Sequence, residues 1–151
     1  MNSEQITEML LKDLLEWELL TSELDAHPQE SLHDRQSPIW TSRDVYAHLA
    51  RWINHSNNNI KAYSAGRSLT SLEGTGDEIN ARWQKEDSTM SLEEARSKAF
   101  KAFEQRLHLI RSIPEKRWDE ELEKIVRYDG FDHYAAHRSY ICLEDNAPLD
   151  G

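Results

Sequence analysis

The chain has 151 residues, about the size of one ordinary domain, and can bury a core without disulfides or a structural metal. Its formal net charge of −10, with acidic and basic residues interspersed, leaves no Lys/Arg stripe to release counterions from phosphates, which argues against a nucleic-acid partner. No run approaches the roughly twenty apolar residues of a membrane-crossing helix, and the amphipathic stretches carry acidic polar faces that anionic membranes repel. Cys142 is the only cysteine and the first residues lack a basic, apolar leader, so a single reduced, cytoplasmic domain over 1–151 is the expectation.

In chain order, Ile6, Met9, Leu10, Asp13, Leu14, Trp17, Leu20 and Leu24 recur at steps of three and four, which predicts a first helix from about Ser3 to Ala26. A polar stretch with Pro28 and Pro38 follows. Thr41-Ser42-Arg43-Asp44 then reads as a capping box opening a second helix, whose inward face runs Val45, His48, Leu49, Trp52, Ile53, Ser56, Ile60 and Tyr63. Between Gly66 and Met90 lies a long connection, broken by Gly66, Gly74 and Gly76, in which Asp77 to Lys85 can form a short helix. It is long enough to cross a bundle, so the relative direction of the helices on either side stays open. A second capping box, Ser91-Leu92-Glu93-Glu94, starts a third long helix, ended by Pro114. Glu121 to Tyr128, with Ile125-Val126, reads as extended or irregular; a last helix is expected over Phe131 to Leu143, then a loose tail from 144 to 151.

Three histidines stand out. His133 and His137 are spaced i, i+4, so on a helix both rings leave one face about a turn apart. That spacing decides little by itself, because seven histidines in such a chain produce it by chance in roughly one case of four. The weight comes from His48, placed on the inward face of another helix, because buried imidazoles need partners for their ring nitrogens and a metal supplies them. The plainer alternative is a hydrogen-bonded core histidine beside an exposed pair. Asp44 and Asp129, each one turn before a histidine, are candidates to orient the rings, or else simple helix caps. Trp52 and Tyr140, one turn beyond His48 and His137, would line a pocket or simply fill the core. A ferritin-like di-iron site is rejected, since the only Glu-x-x-His spacing, Glu30 to His33, falls in an expected loop. His55 precedes a polar run, His27, His33 and His108 read as surface, and Cys142 reads as a small buried hydrophobe.

The stretch Trp40-Thr41-Ser42-Arg43-Asp44-Val45-Tyr46-Ala47-His48-Leu49-Ala50-Arg51-Trp52, followed some eighty residues on by His133-Tyr134-Ala135-Ala136-His137-Arg138-Ser139-Tyr140-Ile141, resembles the DinB-like (YfiT-type) four-helix-bundle family. Asn80-Ala81-Arg82-Trp83 and the Ser91 helix start are also similar to its subfamily around the colibactin self-resistance proteins. The resemblance spans about Glu4 to Leu143. It implies an all-α fold, a four-helix bundle with a long crossover connection between helices two and three. It also implies a divalent metal, nickel or zinc typically and iron among the options, held by His48, His133 and His137. Three protein ligands leave coordination positions open, as in catalytic sites. Relatives act as thiol-dependent transferases, which points to a small electrophilic substrate and a low-molecular-weight thiol. The self-resistance branch commonly lacks these ligands and opens its substrate with water, so a metal-independent hydrolase is the rival. A non-catalytic binding or stress-response protein is the third reading, and a homodimer is compatible with such bundles.

Overall fold

The computed structural model describes residues 1–28 and 40–139. Over these the protein is all-helical: α1 (Ser3–Ala26), α2 (Ser42–Ser64), α3 (Gly76–Glu86), α4 (Leu92–Ser112), α5 (Glu120–Arg127) and α6 (Phe131–Ser139), with a single 3₁₀ turn at Glu115–Arg117. Asn2 opens α1 by accepting the Gln5 amide (2.8 Å) while the Gln5 side chain returns the bond to the Asn2 amide (2.9 Å). Asp44 accepts the Thr41 amide (2.9 Å) at the head of α2, and Thr75 and Ser91 accept the Glu78 and Glu94 amides ahead of α3 and α4.

Helices α1, α2, α4 and α6 share one core, an arrangement compatible with a four-helix bundle. Trp17 of α1 stacks on Phe103 of α4 with ring centres 4.4 Å apart and meets Tyr134 of α6 edge-on at 5.2 Å. Trimming a fully buried aromatic such as Trp17 to alanine removes about 3–5 kcal/mol. On α2 the expected inward face is buried from Val45 to Ile60, with Tyr63 only half-buried. Ser42 at the start of α2 donates to the Leu24 carbonyl near the end of α1 (2.7 Å), Asn57 donates to Ala102 of α4 (3.0 Å), and Arg51 pairs with Asp87, just beyond α3, at 2.8 Å.

One segment departs from the sequence reading. Residues expected to be extended or irregular form α5, because Asp119 caps the Leu122 amide (2.8 Å) and Leu122 and Val126, one turn apart, are both buried. The capping bond and the four-residue apolar step outweigh the β-branched Ile125-Val126 pair. Tyr140, Cys142, His33, Glu30, Pro38 and the tail from 144 lie outside the described residues.

A buried ion pair fixes the α6 end of the bundle. Asp13 of α1 and Arg106 of α4 are both 0 % exposed and meet at 3.0 Å; Arg106 also donates to the Val126 carbonyl (2.8 Å), and the first amide of α6, at Phe131, donates to Asp13 (2.8 Å). Burial raises the Asp13 carboxyl above its ordinary range, against the pull of Arg106 and the Phe131 amide. Gly130 makes the crossing possible: a Cβ there would sit 2.8 Å from Arg106 Nη2 and 3.0 Å from Asp13 Oδ1.

Candidate metal centre

The three histidines converge. His48 projects from α2 and His133 and His137 from α6, with ring centres 5.6 Å apart for His48 and His133, 4.7 Å for His48 and His137, and 4.6 Å for the α6 pair. Each ring offers one nitrogen to a common point, and these three atoms all lie within 4.8 Å of one another. His48 and His137 are buried and His133 is partly buried. The α6 pair meets through its Nε2 atoms at 2.9 Å.

That last distance is chemically telling. Two imidazole lone pairs do not face each other at 2.9 Å unless a proton or a cation lies between them. A tetrahedral ion with nitrogen bonds of about 2.1 Å holds its ligand atoms roughly 3.4 Å apart. The α6 pair is closer than that and the whole set lies within 4.8 Å, so the three donors could hold a divalent ion. Three uncharged nitrogen donors suit zinc, nickel or ferrous iron better than calcium or magnesium, which prefer oxygen.

Of the two aspartates that the sequence offers as ring-orienting groups or caps, the structure separates the roles. Asp44 holds the start of α2, through the Thr41 amide and hydroxyl and through Arg43. Asp129 is 2 % exposed, and its Oδ1 lies 3.1 Å from His133 Nδ1. A carboxylate on that side favours the tautomer with the proton on Nδ1 and the lone pair on Nε2, toward the other histidines. The capping expected of Asp129 is performed instead by Asp13, from the far end of the sequence.

Aromatic side chains enclose the rings. Trp40 lies 5.0 Å from His48 between ring centres, and Trp52 lies 6.4 Å from it, with its indole N–H bonded to Asn80 of α3 (2.8 Å). Among the described residues, the gap lined by His48, Trp40, Asp44, Asn80 and Trp83 measures only about 10 Å³. A larger cavity, of about 420 Å³, opens on the far side of Trp52. His55 belongs to that cavity and sits within reach of Asn59 (3.4 Å) rather than with the three histidines. His108 is exposed and His27 is half-buried. Tyr134, fully buried between the two histidines of α6 in sequence, packs into the Trp17–Phe103 core, and burial raises its phenol above the ordinary range.

Arg106 is the residue near the centre that periodicity did not single out, and Asp13 entered the first-helix repeat only as a position on its inward face. A signal for the pair exists, since both occupy positions on otherwise apolar helical faces, where an unpaired charge costs several kcal/mol and a partner is therefore implied. No described helix is long and apolar enough to cross a membrane. No family model, curated protein or solved structure matches the chain.

Proposed function

We propose that this chain is a divalent-metal protein of the DinB-like type, with His48, His133 and His137 as ligands and zinc, nickel or iron as the ion. Its activity on this reading is transfer of a low-molecular-weight thiol to, or detoxification of, a small electrophile in the cytoplasm. The single observation that carries the reading is the convergence of three ring nitrogens from helices about eighty residues apart. Support for the bundle with a crossover comes from Ser42 against Leu24, Asn57 against Ala102 and Arg51 against Asp87, contacts that suit an α2 lying beside α4 with the 66–90 connection leading from one to the other.

When bound, the ion would act as a Lewis acid with open positions, able to keep a thiol as thiolate or to lower the pKa of a water. The protein's own contribution is positional. Asp129 sets a carboxylate 3.1 Å from Nδ1 of His133, which favours the ligating tautomer, Asp13 and Arg106 anchor the start of α6 under both of its histidines, and Trp40 and Trp52 keep bulk water from His48.

A specific observation favours a second reading. The space beside His48 is small, which suits a protein that sequesters an ion or small molecule without turnover. Metal analysis of protein purified without an affinity tag tests the first part of both: about one divalent ion per chain is expected, lost in His48→Ala, and protein that carries none and takes none up removes both. Thiol consumption with an added electrophile separates the two. Turnover that survives His48→Ala would instead indicate metal-independent hydrolysis.

A further inference from the structure

The cavity beyond Trp52 has the size of a small-molecule site, about 420 Å³ where ligand pockets run from about 300 to 1,000 Å³. Its walls come from three helices and the connection between α2 and α3. Trp52 provides one side, with Trp83 against it at 4.9 Å, and Tyr128 stands at the mouth 6.4 Å from Trp52, 68 % exposed. An aromatic ring held that far into water at a cavity mouth lacks the burial that normally places one. Leu72, Ile79 and Ile125 add aliphatic surface to the lining.

Within this lining sits a polar group without an obvious structural purpose. Ser56 is 3 % exposed, and its hydroxyl has no hydrogen-bond partner. Its α2 neighbours explain why that matters: Asn57 spends its amide on α4 and Asn59 on the Thr70 amide, whereas Ser56 braces nothing and lines the cavity. An unsatisfied buried hydroxyl is costly, and a ligand group that bonds to it recovers that cost. The charge at the edge is mixed, with Lys124 in the lining and Glu73, Asp77 and Glu78 flanking its two glycines, which suits an uncharged ligand better than an ion.

We propose that this cavity binds a small, planar, largely apolar, uncharged molecule through the faces of Trp52 and Tyr128, with one hydroxyl or carbonyl group bonded to Ser56. Trp52 is then the wall shared between ligand and histidines, since it touches both the cavity and His48. That the ligand is the substrate of the histidine centre rests on the metal reading; that the cavity binds does not.

The probe is 2-naphthol, planar and neutral at pH 7 with a single hydroxyl, titrated calorimetrically into metal-free protein, with naphthalene as the partner lacking the hydroxyl. Saturable one-to-one binding is expected. Ile79→Trp, which fills the cavity, abolishes it, and Tyr128→Ala, at an exposed position that threatens no core packing, weakens it. Ser56→Ala weakens 2-naphthol about five-fold and leaves naphthalene unchanged. Absence of saturable binding, or binding indifferent to Ile79→Trp and Ser56→Ala in variants with unchanged circular dichroism, overturns the proposal. Because the titration uses metal-free protein, a chain that binds 2-naphthol but takes up no ion refutes the metal centre alone.

Discussion

Two buried polar clusters sit on either side of the same helix start and are built on opposite logic. Asp13 and Arg106 carry opposite charges, meet at 3.0 Å and divide their remaining bonds between the Phe131 amide and the Val126 carbonyl. His48, His133 and His137 are three bases brought within 4.8 Å of one another, with Asp129 3.1 Å from the His133 ring. The first cluster pairs its opposite charges within the protein and is structural. The second gathers three ring nitrogens within 4.8 Å of one another, a donor set that could hold a metal ion.

The contrast can be broken from either side. The largest effect belongs to Asp13→Ala, which leaves Arg106 buried without its counter-charge and frees the first amide of α6. A loss of about 3–5 kcal/mol in denaturant unfolding is expected, much of it recovered when Arg106→Met is added. Gly130→Ala presses a methyl group into the same pair and is expected to cost about 1–3 kcal/mol.

Asp129→Asn acts on the other cluster. It is expected to weaken zinc binding about ten- to a hundred-fold in competitive titration while leaving the unfolding midpoint of metal-free protein nearly unchanged. An equal loss of folding stability in the metal-free protein would place Asp129 with the structural pair instead.

The smallest effect lies far from both clusters. Burial alone would raise the Asp25 carboxyl, but hydrogen bonds from Arg96 (3.0 Å) and Tyr46 (2.6 Å) outweigh it and hold the carboxyl below its ordinary range. A lowered folded value adds stability above the usual aspartate pKa and surrenders it as pH falls through the folded one. Asp25→Asn, at a solvent-screened pair, is therefore expected to cost less than about 1 kcal/mol at neutral pH, the difference from the parent protein vanishing as the medium is acidified below about pH 4.

Much of this was legible from residue order. The apolar steps of α1, α2 and α4, the caps at Thr41 and Ser91, and the inward placement of His48 and Trp52 all follow from local rules, and the structure places them so. Helix α5 is harder to read because its β-branched Ile125-Val126 pair favours extended backbone, against which the Asp119 cap and the four-residue step from Leu122 to Val126 prevail. The role of Asp129 was hidden for a different reason: whether it caps α6 depends on Asp13, 118 positions from the amide it holds, and no local pattern reports such a competitor. The cavity behind Trp52 was equally invisible, since it exists only where α2, α3 and α5 come together.

The grip of Asp13 on the Phe131 amide joins the beginning of the chain to the segment bearing two of the three candidate ligands. On the metal reading proposed above, ion capture is consequently tied to completed assembly: a polypeptide whose opening helix has not yet docked has no anchored platform for His133 and His137. Affinity for the ion should thus report whether the whole molecule has folded, and any proteolytic nick that loosens the first helix should release the ion along with it.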